Sequence, residues 1–369
     1  MEYYEEETGK KEETPVRKKK TRRRKYRGGD IMFLLIAIAV FSVIIAFVVS
    51  RSKEKNNKTS ASEDMAENVI TYSEADMKTI SAMARAEGRT EGEERLKDRI
   101  RIELTEGGKS VNDVVRGLYP EYLIYMEGGN YHFTPVKENL EKNPYRNTAF
   151  SVSEDGVLKL MVDGEETSKQ VIDVSVHQGE IDWTAVYDSG VRYAMVRVGF
   201  RGYGSGALVI DEYFEKNIQN ATAAGVQVGA YFFTQAVDEA EALEEADFVI
   251  EALKPYKLSL PVAIDVEKPE DSEARGNALN IDERTRAVCA FCDRIKAAGY
   301  EPMIYGGTVT FASMLDMEQI QDYPIWYAFY NNYLYYPYRL RFWQYSMKGS
   351  IPGIKGNVDM NIWLPENNG

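Results

Sequence analysis

Apolar and polar positions follow four different plans along the chain. Residues 31–50 are an uncharged run of Ile, Leu, Val, Ala and Phe. As a helix, a run of this length covers the roughly 30 Å hydrocarbon core of a bilayer, so the pattern predicts one transmembrane helix there. Residues 51–70, rich in Lys, Asn, Ser, Thr and Glu, cannot bury a core and read as a linker. From Ser73, Met77, Ile80, Met83 and Ala84 recur at helical spacing, which predicts a capped amphipathic helix running towards Arg101 and stopped by Gly107 and Gly108. Residues 122–126 and 131–134 read as strands joined in a hairpin through Gly128 and Gly129. Together, residues 71–165 are expected to form a small α+β stalk domain.

Beyond Gly164 short apolar runs alternate with helical stretches, the signature of βα units and a mainly parallel sheet. Strands are predicted at 171–175, 193–199, 228–233, 261–267, 302–305, 325–329, 342–346 and 358–363. Helices are predicted around Tyr213, Phe214 and Ile218, over 238–253, and over 282–298 ending at Gly299. This count suits an α/β fold, an irregular TIM-like (β/α) barrel over 166–369, with its last strands following one another without much helix. In such a barrel the chemistry sits at the C-terminal ends of the strands.

Charge sharpens the picture of the first third. The net charge of −13 averages over a basic run containing Lys18, Lys19, Lys20, Arg22, Arg23 and Arg24, directly ahead of the apolar span. That asymmetry places residues 1–30 as a cytoplasmic tail, acidic then basic, and everything after the span outside the cell. Topology accounts for the basic run, and no nucleic-acid partner is expected. A cleaved signal peptide is the rival, but the apolar run is longer than the roughly 7–15 residues of such a segment and no small-x-small site closes it. Cys289 and Cys292 are the only cysteines, so no disulfide framework holds the fold. They lie in one predicted helix in line with Val288, Phe291 and Ile295, as small buried side chains rather than a redox or zinc pair. The only histidines are His132 and His177, so no set of soft ligands supports a metal, and no cofactor is expected.

Four acids stand among apolar neighbours in the predicted strands. Asp173 is late in the first, Asp265 and Glu267 end the fourth, and Asp359 lies in the last. Strand alternation puts Asp265 and Glu267 on one face, where burial and mutual repulsion can raise one pKa and leave one acid beside one anion. Glycoside hydrolysis needs that division. The competing reading is structural, with Arg197 or Arg341 as salt-bridge partners.

These residues belong to a series of motifs: IDVS at 172–175 with HQG at 177–179 and IDW at 181–183; D-x-x-F-x-x-N at 211–217; AGVQVGAYFF at 224–233; AIDVE at 263–267; WQYS at 343–346; and GNVDMN at 356–361. In this order the stretch 171–364 resembles the family 25 glycoside hydrolases, lysozymes of the Chalaropsis type. The resemblance implies that Asp173, Asp265, Glu267 and Asp359 form the active-site cluster, with Glu267 as general acid. It also implies cleavage of the β-1,4 bond between N-acetylmuramic acid and N-acetylglucosamine in peptidoglycan strands, with the substrate N-acetyl group as an internal nucleophile positioned by Asp265. Phe232 departs from the pattern, since many members carry His there.

Aromatic rings suit a sugar cleft because their faces stack on pyranoses. Tyr231, Tyr305, Trp326, Tyr327 and Tyr330 at strand ends, with Gln344 of the WQYS motif, are therefore the expected substrate-binding set. The cluster Tyr333, Tyr335, Tyr336 and Tyr338 is expected to extend the groove. The function expected is that of a membrane-anchored peptidoglycan muramidase at the cell surface. The alternatives are a non-catalytic wall-binding or envelope scaffold module, and an enzyme that transfers the glycan to a sugar instead of water.

Overall fold

The computed structural model describes residues 73–365, apart from 270 and 272. The expected tail at 1–30, span at 31–50 and linker at 51–70 lie outside the described residues. Among the described residues no helix is long and apolar enough to cross a membrane. The chain divides into two compact units, residues 1–89 and 90–369.

Helix α1 (Glu74–Thr105) begins where the sequence predicts. Ser73 and Asp76 cap each other, the Asp76 N–H donating to Ser73 Oγ at 3.2 Å and the Ser73 N–H to Asp76 Oδ2 at 3.0 Å. The helix runs past Arg101 and buries no side chain. Met77, Ile80 and Met83 of the expected apolar face are exposed, and pairs such as Glu74–Lys78 and Glu91–Arg95 support the polar surface. Next come α2 (Val111–Leu118), the hairpin of β1 (Tyr122–Glu127) and β2 (Asn130–Pro135), and a small antiparallel sheet of β3 (Phe150–Val152), β4 (Leu158–Val162) and β5 (Glu165–Glu166). The hairpin turns through Gly128 and Gly129 at φ of 57° and 79°, which side chains rarely tolerate.

The barrel is built from β6 (Lys169–Val174), α3 (Trp183–Asp188), β7 (Tyr193–Arg201), β8 (Leu208–Ile210), α4 (Phe214–Ala223), β9 (Gln227–Phe233), α5 (Glu239–Leu253), β10 (Val262–Asp265), α6 (Ile281–Ala297), β11 (Pro302–Gly307), α7 (Met317–Ile320), β12 (Ile325–Ala328), β13 (Phe342–Gly349) and β14 (Val358–Trp363). Strands β6, β7, β9, β10, β11, β12 and β13 run parallel in that spatial order. Antiparallel β14 fits between β13 and β6 and closes the ring, while β8 hangs antiparallel on β7 outside it. All eight predicted barrel strands are present, and the irregularity falls at the last ones, where no α-helix separates β12, β13 and β14. The strand most shortened against prediction is β10. β10 ends at Asp265, so Glu267 stands beyond it.

Each strand divides its side chains between two cores by simple alternation. Val171, Met195, Ala263, Met303, Tyr305, Trp326 and Phe342 fill the inside of the barrel. Ile172, Val196, Phe232, Ile264, Tyr327 and Trp343 face outward, in the larger core that includes Phe291 and Ile295 of α6.

The segment expected as a stalk does not stand apart. Leu123, Tyr125, Leu140, Leu158 and Leu160 join the outer core of the barrel, and the tyrosine-rich loop between β12 and β13 latches them down. The Tyr335 hydroxyl accepts from the Ile124 N–H at 2.8 Å and donates to the Tyr122 carbonyl at 2.9 Å. Tyr338 accepts from the Lys137 N–H at 2.8 Å, and Tyr333 donates to the Asp113 carboxylate. Arg116 lies over the rings of Phe329 and Tyr335, about 5 Å from each centroid. Tyr336 is buried against Tyr327 with centroids 4.5 Å apart. These tyrosines therefore serve as an internal fastening and do not extend a groove, because the hydroxyls of Tyr333, Tyr335 and Tyr338 are engaged by the preceding segment and Tyr336 is buried in the core.

A shared core predicts shared stability. Leu160 is fully buried outside the barrel strands, whereas all four tryptophans, Trp183, Trp326, Trp343 and Trp363, lie within the barrel. Leu160→Ala is expected to lower stability by about 2–5 kcal/mol and to shift the urea midpoint read by tryptophan fluorescence. An unchanged fluorescence midpoint would show that the two parts unfold independently.

Candidate active site

The inward parity of the strands carries polar side chains to the C-terminal mouth of the barrel. Asp173 follows Val171 on β6, Asp265 follows Ala263 on β10, Tyr305 follows Met303 on β11, and Gln344 follows Phe342 on β13. Asp359 lies directly opposite Asp173 in the antiparallel β14–β6 pair. Glu267, two residues past Asp265, comes from the loop; the residue as a whole is exposed at the rim, while its carboxyl group reaches into the cluster and is partly desolvated there.

Two amides fix the charge on Asp173. Gln344 Nε2 donates to its Oδ2 at 2.9 Å and Asn361 Nδ2 donates to the same oxygen at 2.7 Å. Neither amide can turn round. The Gln344 Oε1 already accepts from the hydroxyls of Tyr305 (2.9 Å) and Tyr330 (3.0 Å), and the Asn361 Oδ1 accepts from the Trp326 indole at 2.7 Å. Asp173 is thus the anion of the Asp173–Asp359 pair, and Asp359 holds the proton between them.

Burial acts on all four acids. It pushes Asp173 above the usual carboxylate range, opposed by the Asn361 and Gln344 amides and by Asp359. Asp359 is pushed up to about 8, first by burial and then by the charge of Asp173 and the hydrogen bond to it. Asp265 is held well above its ordinary value by burial and by the charges of Glu267 and Asp173, with Arg197 opposing. Burial also raises Glu267, with the neighbouring Tyr305 hydroxyl opposing the rise and the charge of Asp173 adding to it. Asp265 Oδ1 is buried and has no hydrogen-bond partner among the described residues. Such an atom is costly to maintain, and a donor brought by a ligand would satisfy it.

No ion pair engages any of these acids among the described residues. Arg197 is bonded to Asp211 at 2.7 Å, and Arg341 pairs with Glu301. Both cations proposed as structural partners are thus committed elsewhere. Asp211 also accepts from the Val176 N–H at 3.0 Å, and Asn217 accepts from the Trp183 indole at 3.3 Å. The D-x-x-F-x-x-N motif therefore braces the loop after β6, which carries His177.

The expected aromatic set divides by parity. Tyr231, Tyr305 and Trp326 face the barrel interior and pack edge-on, with Trp326 4.7 Å from Tyr305 and 6.0 Å from Tyr231. Trp326 is only 1% exposed and forms the floor beneath the acids, so it offers no face to a sugar. Tyr330 is 48% exposed at the rim and reaches Gln344. Tyr327 is the exception. It points to the opposite side of β12, is fully buried beside Phe311 and Tyr336, and bonds Thr308, so it is a core residue outside the site. Asn361 and Arg197 complete the cluster without having been singled out as site residues from sequence. A separate cavity of about 150 Å³, lined by Glu141, Tyr145, Tyr323, Arg339 and Arg341 among others, lies at the far end of the barrel and touches none of the acids.

A closed, mainly parallel barrel with a cluster of carboxyl groups of raised pKa at its C-terminal mouth is the arrangement of a glycoside hydrolase. The model of the family described as "Glycosyl hydrolases family 25" matches residues 172–354, and the chain belongs to that family. An uncharacterized protein of Escherichia coli K12, YegX, is 31% identical over 201 residues, covering 52% of this chain and 68% of that protein. An autolytic lysozyme of Clostridium acetobutylicum is 26% identical over 198 residues, covering 52% of this chain and 54% of that one. The modular autolysin LytC of Streptococcus pneumoniae aligns in structure with a TM-score of 0.48 and 26% identity, over 65% of this chain and 57% of that chain. This chain thus spans little more than half the length of these last two proteins.

The raised pKa of Asp359 makes stability depend on pH. The folded protein binds more protons than the unfolded chain between the ordinary aspartate value, about 3.9, and the folded value of about 8. Its contribution to stability therefore falls as pH rises through that window. Asp359→Asn is expected to gain stability relative to the parent progressively from acid to alkaline pH, read by urea unfolding at several pH values. A difference that stays constant across the window would contradict this assignment.

Proposed function

We propose that the protein is a membrane-anchored muramidase that hydrolyses the β-1,4 bond between N-acetylmuramic acid and N-acetylglucosamine in peptidoglycan at the cell surface. The observation that carries this reading is the carboxylate cluster, in which a solvent-reachable acid of raised pKa, Glu267, stands beside the buried Asp265 with its free Oδ1. The lysozyme among its relatives agrees with it.

In this mechanism Glu267 gives its proton to the glycosidic oxygen as the bond to the leaving sugar breaks. Asp265 accepts the N–H of the substrate acetamide on Oδ1. That hydrogen bond favours its charged form and turns the acetamide oxygen towards the anomeric carbon, where it attacks as an internal nucleophile. Asp173, held anionic by Gln344 and Asn361, and Asp359, which shares its proton, complete the electrostatic setting for the oxocarbenium-like transition state. Water then opens the cyclised intermediate, with Glu267 taking back a proton. Tyr231 and Tyr330 supply the ring and hydroxyl contacts to the sugar.

The anchor reading is supported by the uncharged run at 31–50 and the basic residues ahead of it. It places the N-terminal tail in the cytoplasm, the barrel outside, and the reach of the enzyme within nearby wall.

The decisive test is muropeptide release from purified peptidoglycan by the full-length chain, with product ends identified by mass. Reducing N-acetylmuramic acid ends are expected from the parent, and Glu267→Gln is expected to lower the rate by about 10²–10⁴-fold. Anhydro ends would indicate transfer to the cleaved sugar's own hydroxyl, new glycan linkages would indicate transfer to another sugar, and binding without any release would indicate a scaffold module. For the anchor, the full chain is expected to sediment with membranes and to become soluble when residues 31–50 are deleted; sedimentation unaffected by the deletion would remove this part of the reading.

A further inference from the structure

The segment ahead of the barrel meets the catalytic mouth through one ion pair. Glu127, at the end of β1 beside the Gly128–Gly129 turn, holds the ammonium of Lys268. Lys268 directly follows Glu267 on the loop leaving β10. Both partners are partly exposed, at 39% and 50% of the side chain, so the pair is not part of a core.

The groups around Glu267 come from most of the ring. They are the acids Asp173, Asp265 and Asp359 on β6, β10 and β14, and Tyr305 and Tyr330 from β11 and the loop after β12. Two arginines approach. Arg197 on β7 is neutralised by Asp211. Arg284 on α6 borders a small cavity with Glu267 and donates to the carbonyls of Gly276 and Leu279. His132 on β2 lies beside Glu127. Lys268 is the cation on the acid's own loop, and its four-carbon stem could carry the charge towards either neighbour.

We propose that Glu127 is a positioning residue for the general acid: by binding the Lys268 ammonium it keeps that charge away from the Glu267 carboxyl, so the hairpin β1–β2 governs how firmly Glu267 holds its proton. The inference rests on the reading of Glu267 as the general acid. Its physical basis is that a cation a few ångströms from a carboxyl stabilises the carboxylate, which works against a proton donor. In the structure the Lys268 ammonium is bound to the Glu127 carboxylate. The hairpin precedes residues 172–354, the part matched by the family model.

The test compares the full-length parent with Glu127→Gln and with Glu127→Gln combined with Lys268→Met. A surface pair contributes little to stability, so all three should have similar unfolding midpoints. Freed Lys268 is expected to move the alkaline limb of kcat/KM to lower pH by about half a unit to one unit, and removal of Lys268 in the double variant to restore the parental limb. The carboxyl of Glu267, followed by ¹³C NMR titration, is expected to shift in the same way, and this measurement needs no turnover. It separates failure of the inference from failure of the muramidase reading, which would show as a parent without activity. An unchanged Glu267 titration in Glu127→Gln, or a shift that persists in the double variant, would overturn the proposal.

Discussion

Four carboxyl groups crowded into the mouth of a closed barrel are the constraint on which the rest of the structure turns. Taken from water together, they cannot all stay charged, and the protein resolves the conflict through placement of donors. Both directed amides go to one oxygen of Asp173, and their other ends are locked by Tyr305, Tyr330 and Trp326. The negative charge is localised there, and the remaining acids hold their protons more tightly in response. An aromatic floor beneath them, with Trp326 packed between Tyr231 and Tyr305, keeps water from entering from below and maintains the low polarity that sustains these shifts.

The same barrel has taken the preceding segment into its own core. The hairpin and the small sheet bury apolar side chains against the outside of the barrel, where Leu123, Leu158 and Leu160 join its core. The loop between β12 and β13, which lacks a helix, receives them. Its tyrosines satisfy backbone groups of the hairpin that would otherwise meet no partner at an interface.

Much of this was legible in the sequence because apolar runs bounded by glycine and polar turns mark strands well. The eight barrel strands follow from that pattern, whereas the gathering of Asp173, Asp265, Glu267 and Asp359 into one cluster rests on the family resemblance, since spacing alone leaves a structural reading open and Glu267 lies beyond its strand. Parity explains the failure at Tyr327: adjacent residues on a strand face opposite sides, so Trp326 and Tyr327 could not share a site. The fate of the expected stalk was hidden for another reason. Tyr335 and Ile124 meet across 211 residues of sequence, and local periodicity reveals a buried face without revealing what covers it. Asn361 escaped notice as a site residue because a buried amide in a strand carries no charge signal, although it lies in the GNVDMN motif.

The antiparallel strand β14 both seals the ring and carries Asp359 and Asn361. Before it is in place, β6 and β13 are open edges and Asp173 lacks its proton-sharing neighbour and one of its two amides. During synthesis from the N-terminus, therefore, closure of the barrel and assembly of the charged cluster are a single late event. The chain has no interval in which a complete cleft exists on an unfinished fold, and its chemistry is timed by its topology.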